Sequence, residues 1–121
     1  MEVIYMVFFN RGCLEAVTKG ERLAQYDLLA ALLESGREDY AKLQVYLKKP
    51  DRTELREFSS KLRGVALVVG SEFLVKACVR LEKACASPDS NLEQIYRDGH
   101  FLKFNMEVFE RAISAELASR N

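Results

Sequence analysis

Apolar residues recur at intervals of three and four along most of this chain, a spacing typical of amphipathic helices. The clearest run comprises Leu23, Leu28, Leu29, Leu32, Leu33, Tyr40, Leu43 and Leu47. Only six glycines and two prolines occur in 121 residues, too few for the many turns that an all-β domain requires. The sequence therefore predicts an all-α protein.

Glycines and prolines separate the periodic stretches into five predicted helices, at residues 10–18, 21–47, 52–69, 71 to about 87, and 91–118. Ser35 and Gly36 interrupt the second stretch, which is therefore either one bent helix or two helices in series. Gly70 is expected to close the third helix in a left-handed conformation. Four long amphipathic helices with short connections predict an antiparallel four-helix bundle with a short additional N-terminal helix.

The predicted bundle forms one domain over residues 10–121, preceded by an apolar lead-in at residues 1–9. The lead-in contains VIYMVFF, which is shorter than the ~20 apolar residues that cross a bilayer. It also lacks the charged start of a secretory signal. We expect it to pack on the bundle, with self-association through residues 3–9 as the alternative.

Composition argues against several function classes. Eighteen basic and eighteen acidic residues give a formal net charge of zero, which disfavours nucleic-acid binding. The three cysteines, Cys13, Cys78 and Cys85, include no CxxC pair, so the sequence predicts neither a disulfide framework nor a zinc site. Reduced core thiols indicate a cytoplasmic protein. One histidine and no glycine-rich phosphate loop predict no metal and no cofactor.

The segment 58–70, FSSKLRGVALVVG, carries an unusual helical surface. Its outward stripe consists of Ser60, Arg63, Gly64 and Leu67. A glycine inside a helix costs about 1 kcal/mol relative to alanine, so close approach of a partner is one reason for Gly64. Arg63, one turn after Ser60, could hold a phosphate or a carboxylate.

This segment and the helix after it resemble the histidine-containing phosphotransfer (HPt) domain of bacterial multistep phosphorelays. The family motif reads H-x-L-K-G, then small residues and a glycine that ends the helix, then a helix with L-x-x-x-C-x-x-L-E. The matching residues are Ser60-Lys61-Leu62-Arg63-Gly64, then Gly70, then Leu74, Cys78, Leu81 and Glu82. The resemblance extends over residues 10–119 and is greatest to the C-terminal HPt modules of unorthodox hybrid sensor kinases.

Ser60 stands where the family has its phosphoaccepting histidine. A serine hydroxyl is a poor nucleophile without an adjacent base, and Glu57 is the only carboxylate near it in the sequence. We therefore interpret the chain as a non-catalytic HPt-like domain that binds a response-regulator receiver domain without relaying phosphate. The resemblance implies that the phosphate or the partner is bound by Lys61, Arg63 and Gly64. Arg56 and Leu67 complete the implied docking face.

Two other functions remain open. The chain could be an active histidine phosphotransferase, if Ser60 is an introduced substitution or if His100, which begins a second H-x-L-K, accepts the phosphate. It could instead be a helical dimerisation or adaptor module.

Six basic against three acidic residues between Lys48 and Arg63 leave a local surplus of three positive charges, which would steer an acidic receiver.

Overall fold

The computed structural model describes residues 10–120, and within them it contains helices and no strand. The helices are α1 (Arg11–Thr18), α2 (Arg22–Lys48), α3 (Arg52–Val68), α4 (Glu72–Ala86) and α5 (Leu92–Ser119). The all-α class is confirmed, and each helix begins and ends within one residue of its predicted bounds. The predictions for residues 1–9, including self-association, lie outside the described residues. Between residues 10 and 120, no helix has both the length and the apolar character to span a membrane.

The four long helices form the predicted bundle. In it α3 packs mainly on α4, α4 also packs on α5, and α5 also packs on α2. Contact between α2 and α3 is much smaller, and α1 lies against these two helices. The chain reverses direction through short connections, as an antiparallel bundle requires. Because α2 continues through Ser35 and Gly36, the alternative of two helices in series is wrong.

The core is a cluster of aliphatic and small side chains to which all five helices contribute. Its largest fully buried side chains include Leu14, Leu29, Leu43, Leu55, Leu74, Leu81, Ile95, Leu102 and Ile113. Cys78 and Cys85 are free thiols within this core, as the sequence predicts. Burial raises the pKa of the Cys78 thiol to about 12, which keeps it protonated at neutral pH. The cysteine in the L-x-x-x-C-x-x-L spacing of α4 is therefore a packing residue.

The turn between α3 and α4 depends on Gly70, which has the predicted left-handed conformation with φ of +68°. The next N–H, of Ser71, donates to the carbonyl oxygen of Ala66 at 2.9 Å and so closes the end of α3. A Cβ atom at position 70 would lie 2.6 Å from Cβ of Asn10 and 2.8 Å from Sγ of Cys13. Glycine is therefore required here both for the backbone conformation and for the close approach of the chain around α1.

At the opposite end of this helix pair, Arg52 holds α3 to the end of α4. Its guanidinium donates to the carbonyl oxygens of Ala84, Ser87 and Ser90 and, at 2.8 Å, to Oγ of Ser90. These carbonyls lie at and beyond the C-terminus of a helix, where a cation is favourable. Arg52 is one of the six basic residues between Lys48 and Arg63 that we expected to steer a receiver. Its contacts show that it stabilises the fold.

Candidate functional site

The exposed face of α3 carries the residues that the motif singles out. Ser60, Lys61 and Gly64 are exposed, and Leu67 keeps 56% of its surface accessible. A Cβ atom built at Gly64 meets no atom within 4 Å. No neighbour within the described chain therefore requires a glycine at this position, although glycine weakens a helix.

A shallow, open groove runs along the surface between α3 and α4 and contains Ser60. It is lined by Arg52, Thr53, Arg56, Glu57, Ser60 and Arg63 of α3 and by Glu82 and Cys85 of α4. Charged side chains dominate this lining. Such a surface suits a polar macromolecular partner better than an apolar small ligand, whose sites are enclosed and mostly hydrophobic.

Arg63 already holds a carboxylate, that of Glu82 on α4. Its Nε donates to Oε2 at 2.7 Å and its Nη2 donates to Oε1 at 3.4 Å. The exposed fractions of the two side chains are 38% for Arg63 and 17% for Glu82, so this ion pair is partly shielded from water. Glu57 is the only carboxylate near Ser60 in the sequence, whereas the folded chain adds Glu82 to the same groove. Glu82 reaches the groove because α4 folds back along α3.

The other two cations of the predicted docking face differ from Arg63. Arg56, one turn before Ser60, lines the groove and forms no ion pair or hydrogen bond within residues 10–120. Lys61 acts electrostatically on Asp39 of α2. Burial raises the pKa of Asp39, and the positive charges of Lys42 and Lys61 counteract that rise. Lys61 itself is exposed and forms no ion pair or hydrogen bond within residues 10–120.

His100 lies apart from this groove. It is exposed on α5, and its ring stacks on that of Tyr96 with the centroids 6.3 Å apart. The residue after it, Phe101, lies under the guanidinium of Arg80, which is 4.6 Å from the ring centroid. None of these side chains lines the groove that contains Ser60. The second H-x-L-K therefore has aromatic surroundings quite unlike those of the first site.

Comparison with known proteins identifies the family of this chain. A search of curated proteins and a search of solved structures gave no significant match. The sequence model of the Hpt domain matches residues 27–103, which is more than half of the chain and includes all of α3 and α4. The chain therefore belongs to the HPt domain family, the phosphotransfer modules of two-component phosphorelay signalling.

Proposed function

We propose that this chain binds a response-regulator receiver domain through the exposed face of α3 and does not relay phosphate. One feature carries the proposal: Ser60 is exposed on α3, and by the motif resemblance it stands where phosphotransfer requires an imidazole. Family membership supports a receiver as the partner, because HPt domains interact with receivers in phosphorelays.

The chemistry around Ser60 supports binding without transfer. A serine becomes a useful nucleophile when an adjacent base accepts its proton. The carboxylates in the groove are Glu57, which is exposed, and Glu82, which already accepts two hydrogen bonds from Arg63. The hydroxyl of Ser60 forms no hydrogen bond with either carboxylate within the described residues. A phosphoserine would also be a stable ester, which does not return its phosphoryl group to an aspartate as a phosphoramidate does.

The shape and charge of the α3 face support docking. The missing side chain at Gly64 leaves open space, into which the surface of a partner can approach the helix backbone closely. Leu67, one turn further, offers an exposed apolar contact, and Arg56 offers a cation. A receiver presents a cluster of carboxylates around its phosphoacceptor aspartate, to which such a cation is complementary.

A transfer assay tests whether the chain relays phosphate. The unmodified chain and its Ser60→His variant are each mixed with a radiolabelled phosphoreceiver, and acid-labile label on the chain is measured. We expect label on the variant only. Label on the unmodified chain that disappears in a His100→Ala variant would instead identify an active phosphotransferase with His100 as its acceptor.

A binding assay tests whether the chain binds a receiver through the exposed face of α3. Gly64→Gln fills the open space on α3, and Arg56→Glu reverses the charge of the cation that has no ion pair within the described residues, so each is expected to abolish receiver binding. Circular dichroism should show unchanged helix content. Ala118→Gln, which places the same side chain on the exposed surface of α5, is the matched control and should bind normally. Unchanged affinity in both α3 variants would rule out this docking face.

A further inference from the structure

We infer that Arg56 recognises the phosphoryl group on the receiver's aspartate, so that this chain binds the phosphorylated receiver more tightly than the unphosphorylated one. The inference rests on the proposed function, because it concerns the same partner and the same face of α3. Its basis is the groove that contains Ser60, where one arginine of the lining is left without an ion pair or a hydrogen bond within the described residues.

The groove carries more positive than negative charge. Three arginines line it against two glutamates, and these five residues are Arg52, Arg56, Arg63, Glu57 and Glu82. A phosphoryl group adds nearly two negative charges and three strong acceptor oxygens, which arginine binds through charge-assisted hydrogen bonds. A phosphoryl group that a docked receiver brings to this groove therefore meets an attractive surface.

Two of the three arginines are held by contacts within the bundle. Arg52 donates to carbonyl oxygens at and beyond the end of α4. Arg63 donates to both carboxylate oxygens of Glu82, at 2.7 and 3.4 Å. Turning Arg63 away would leave Glu82, only 17% exposed, without its partner, and a shielded charge without a partner is costly.

Arg56 has no such commitment. It is exposed and forms no ion pair or hydrogen bond within residues 10–120. It precedes Ser60 by four residues, which places the two side chains on one face of α3. Its charge also acts across the groove: burial raises the pKa of the Cys85 thiol on α4, and the positive charges of Arg52 and Arg56 counteract that rise. The Arg56 guanidinium can therefore turn toward a phosphoryl group over Ser60 and lose no bond of the described chain.

Lys61 is also without an ion pair or a hydrogen bond in that part of the chain, but it lies elsewhere on α3. Because it follows Ser60 directly, its side chain leaves the helix about 100° further round, and it does not line the groove. Its positive charge acts on Asp39 of α2. Position therefore favours Arg56 over Lys61 for contact with the phosphoryl group, and freedom from other contacts favours it over Arg63.

Titration calorimetry on one receiver in two states tests the preference. Receiver domains from the same organism are titrated with the full chain in the presence of Mg²⁺, with and without beryllofluoride, which mimics aspartyl phosphate. We expect the beryllofluoride form to bind at least about tenfold more tightly, which is the gain that one charge-assisted hydrogen bond supplies.

Variants of the three cations test which of them is responsible. Arg56→Gln removes the uncommitted charge from the groove, so the two dissociation constants should then agree within about threefold. Lys61→Gln removes the same charge from another side of α3, and the ratio should stay within about twofold of that of the unmodified chain. The double variant Arg63→Gln, Glu82→Gln removes the ion pair at constant net charge and should also keep the ratio. Circular dichroism checks that each variant remains helical.

The outcomes separate the inference from the function beneath it. Nearly equal affinities for the two states in the unmodified chain overturn the inference and leave the proposed function intact. A preference that survives in Arg56→Gln also overturns it, and its loss in one of the other two variants would then assign the phosphoryl group to that cation. Failure of all receivers to bind in either state overturns the proposed function, and the inference with it.

Discussion

Gly64 and Gly70 belong to the same motif and are six residues apart, yet their surroundings differ completely. At Gly70 the backbone is left-handed and an added Cβ would overlap Asn10 and Cys13. At Gly64 the backbone is helical and an added Cβ would meet nothing. The comparison teaches that one short motif combines a glycine that builds the fold with a glycine that the fold does not require.

The arginines of α3 show the same contrast. Arg52 donates to carbonyl oxygens at the end of α4, so it belongs to the fold. Arg56, one turn later, has no ion pair or hydrogen bond within the described residues, so it remains available to a partner. Residue type and position in the sequence are nearly the same for both. Only their contacts separate the structural residue from the candidate binding residue.

Gly70→Ala should have the largest effect on stability. The substitution puts a Cβ on a left-handed backbone and drives it against Asn10 and Cys13, so we expect a loss of about 2–4 kcal/mol in the free energy of unfolding. Urea denaturation followed by circular dichroism measures it. A loss below about 1 kcal/mol would show that the turn tolerates a side chain, which would break the comparison with Gly64.

Arg52→Leu is expected to cost about 1–3 kcal/mol, because several carbonyl oxygens near the end of α4 lose their donor. Arg56→Leu is the matched control and should change stability by less than about 0.5 kcal/mol. The same denaturation assay compares the two. Equal losses would mean that Arg56 also serves the fold, and would remove it from the docking face.

Gly64→Ala is expected to stabilise the chain by up to about 1 kcal/mol, since alanine favours helix and the added methyl group meets no atom. This effect is opposite in sign to that of Gly70→Ala. A destabilised Gly64→Ala variant would mean that the fold, and not a partner, accounts for this glycine.

The smallest expected effect concerns Asp39, whose pKa lies above its ordinary value of 3.8 mainly because the carboxyl is partly buried. A raised pKa in the folded state means that Asp39 favours folding most below pH 3.8, and that this contribution is lost as pH rises through the folded pKa. Lys61→Gln removes a positive charge that lowers this pKa, so the pKa should rise further. Carbon-13 NMR titration of the Asp39 carboxyl measures the change, and an unchanged pKa would show that Lys61 does not act on α2.

Much of the fold follows from local sequence signals. Apolar periodicity predicts the helices, and the left-handed preference of glycine predicts the end of α3 at Gly70. The ion pair between Arg63 and Glu82 depends instead on how two helices face each other. The sequence does contain a signal for this pair. Residues 63 and 82 lie equally far from the centre of the α3–α4 hairpin. Residues 60 and 85 do so as well, and both line the groove between the two helices. The role of Arg52 has no comparable signal, because its acceptors are backbone carbonyls.

The turn at Gly70 also has a consequence for the order of folding. It joins two helices that pack mainly on each other, so their contacts form between residues close in sequence and require little loop-closure entropy. By contrast, contacts between α2 and α5, such as that of Arg37 with Glu110, close a loop of more than seventy residues. We therefore expect the α3–α4 hairpin to form the folding nucleus. Gly70→Ala should then slow refolding more than it speeds unfolding in stopped-flow experiments, and the reverse result would place the nucleus elsewhere.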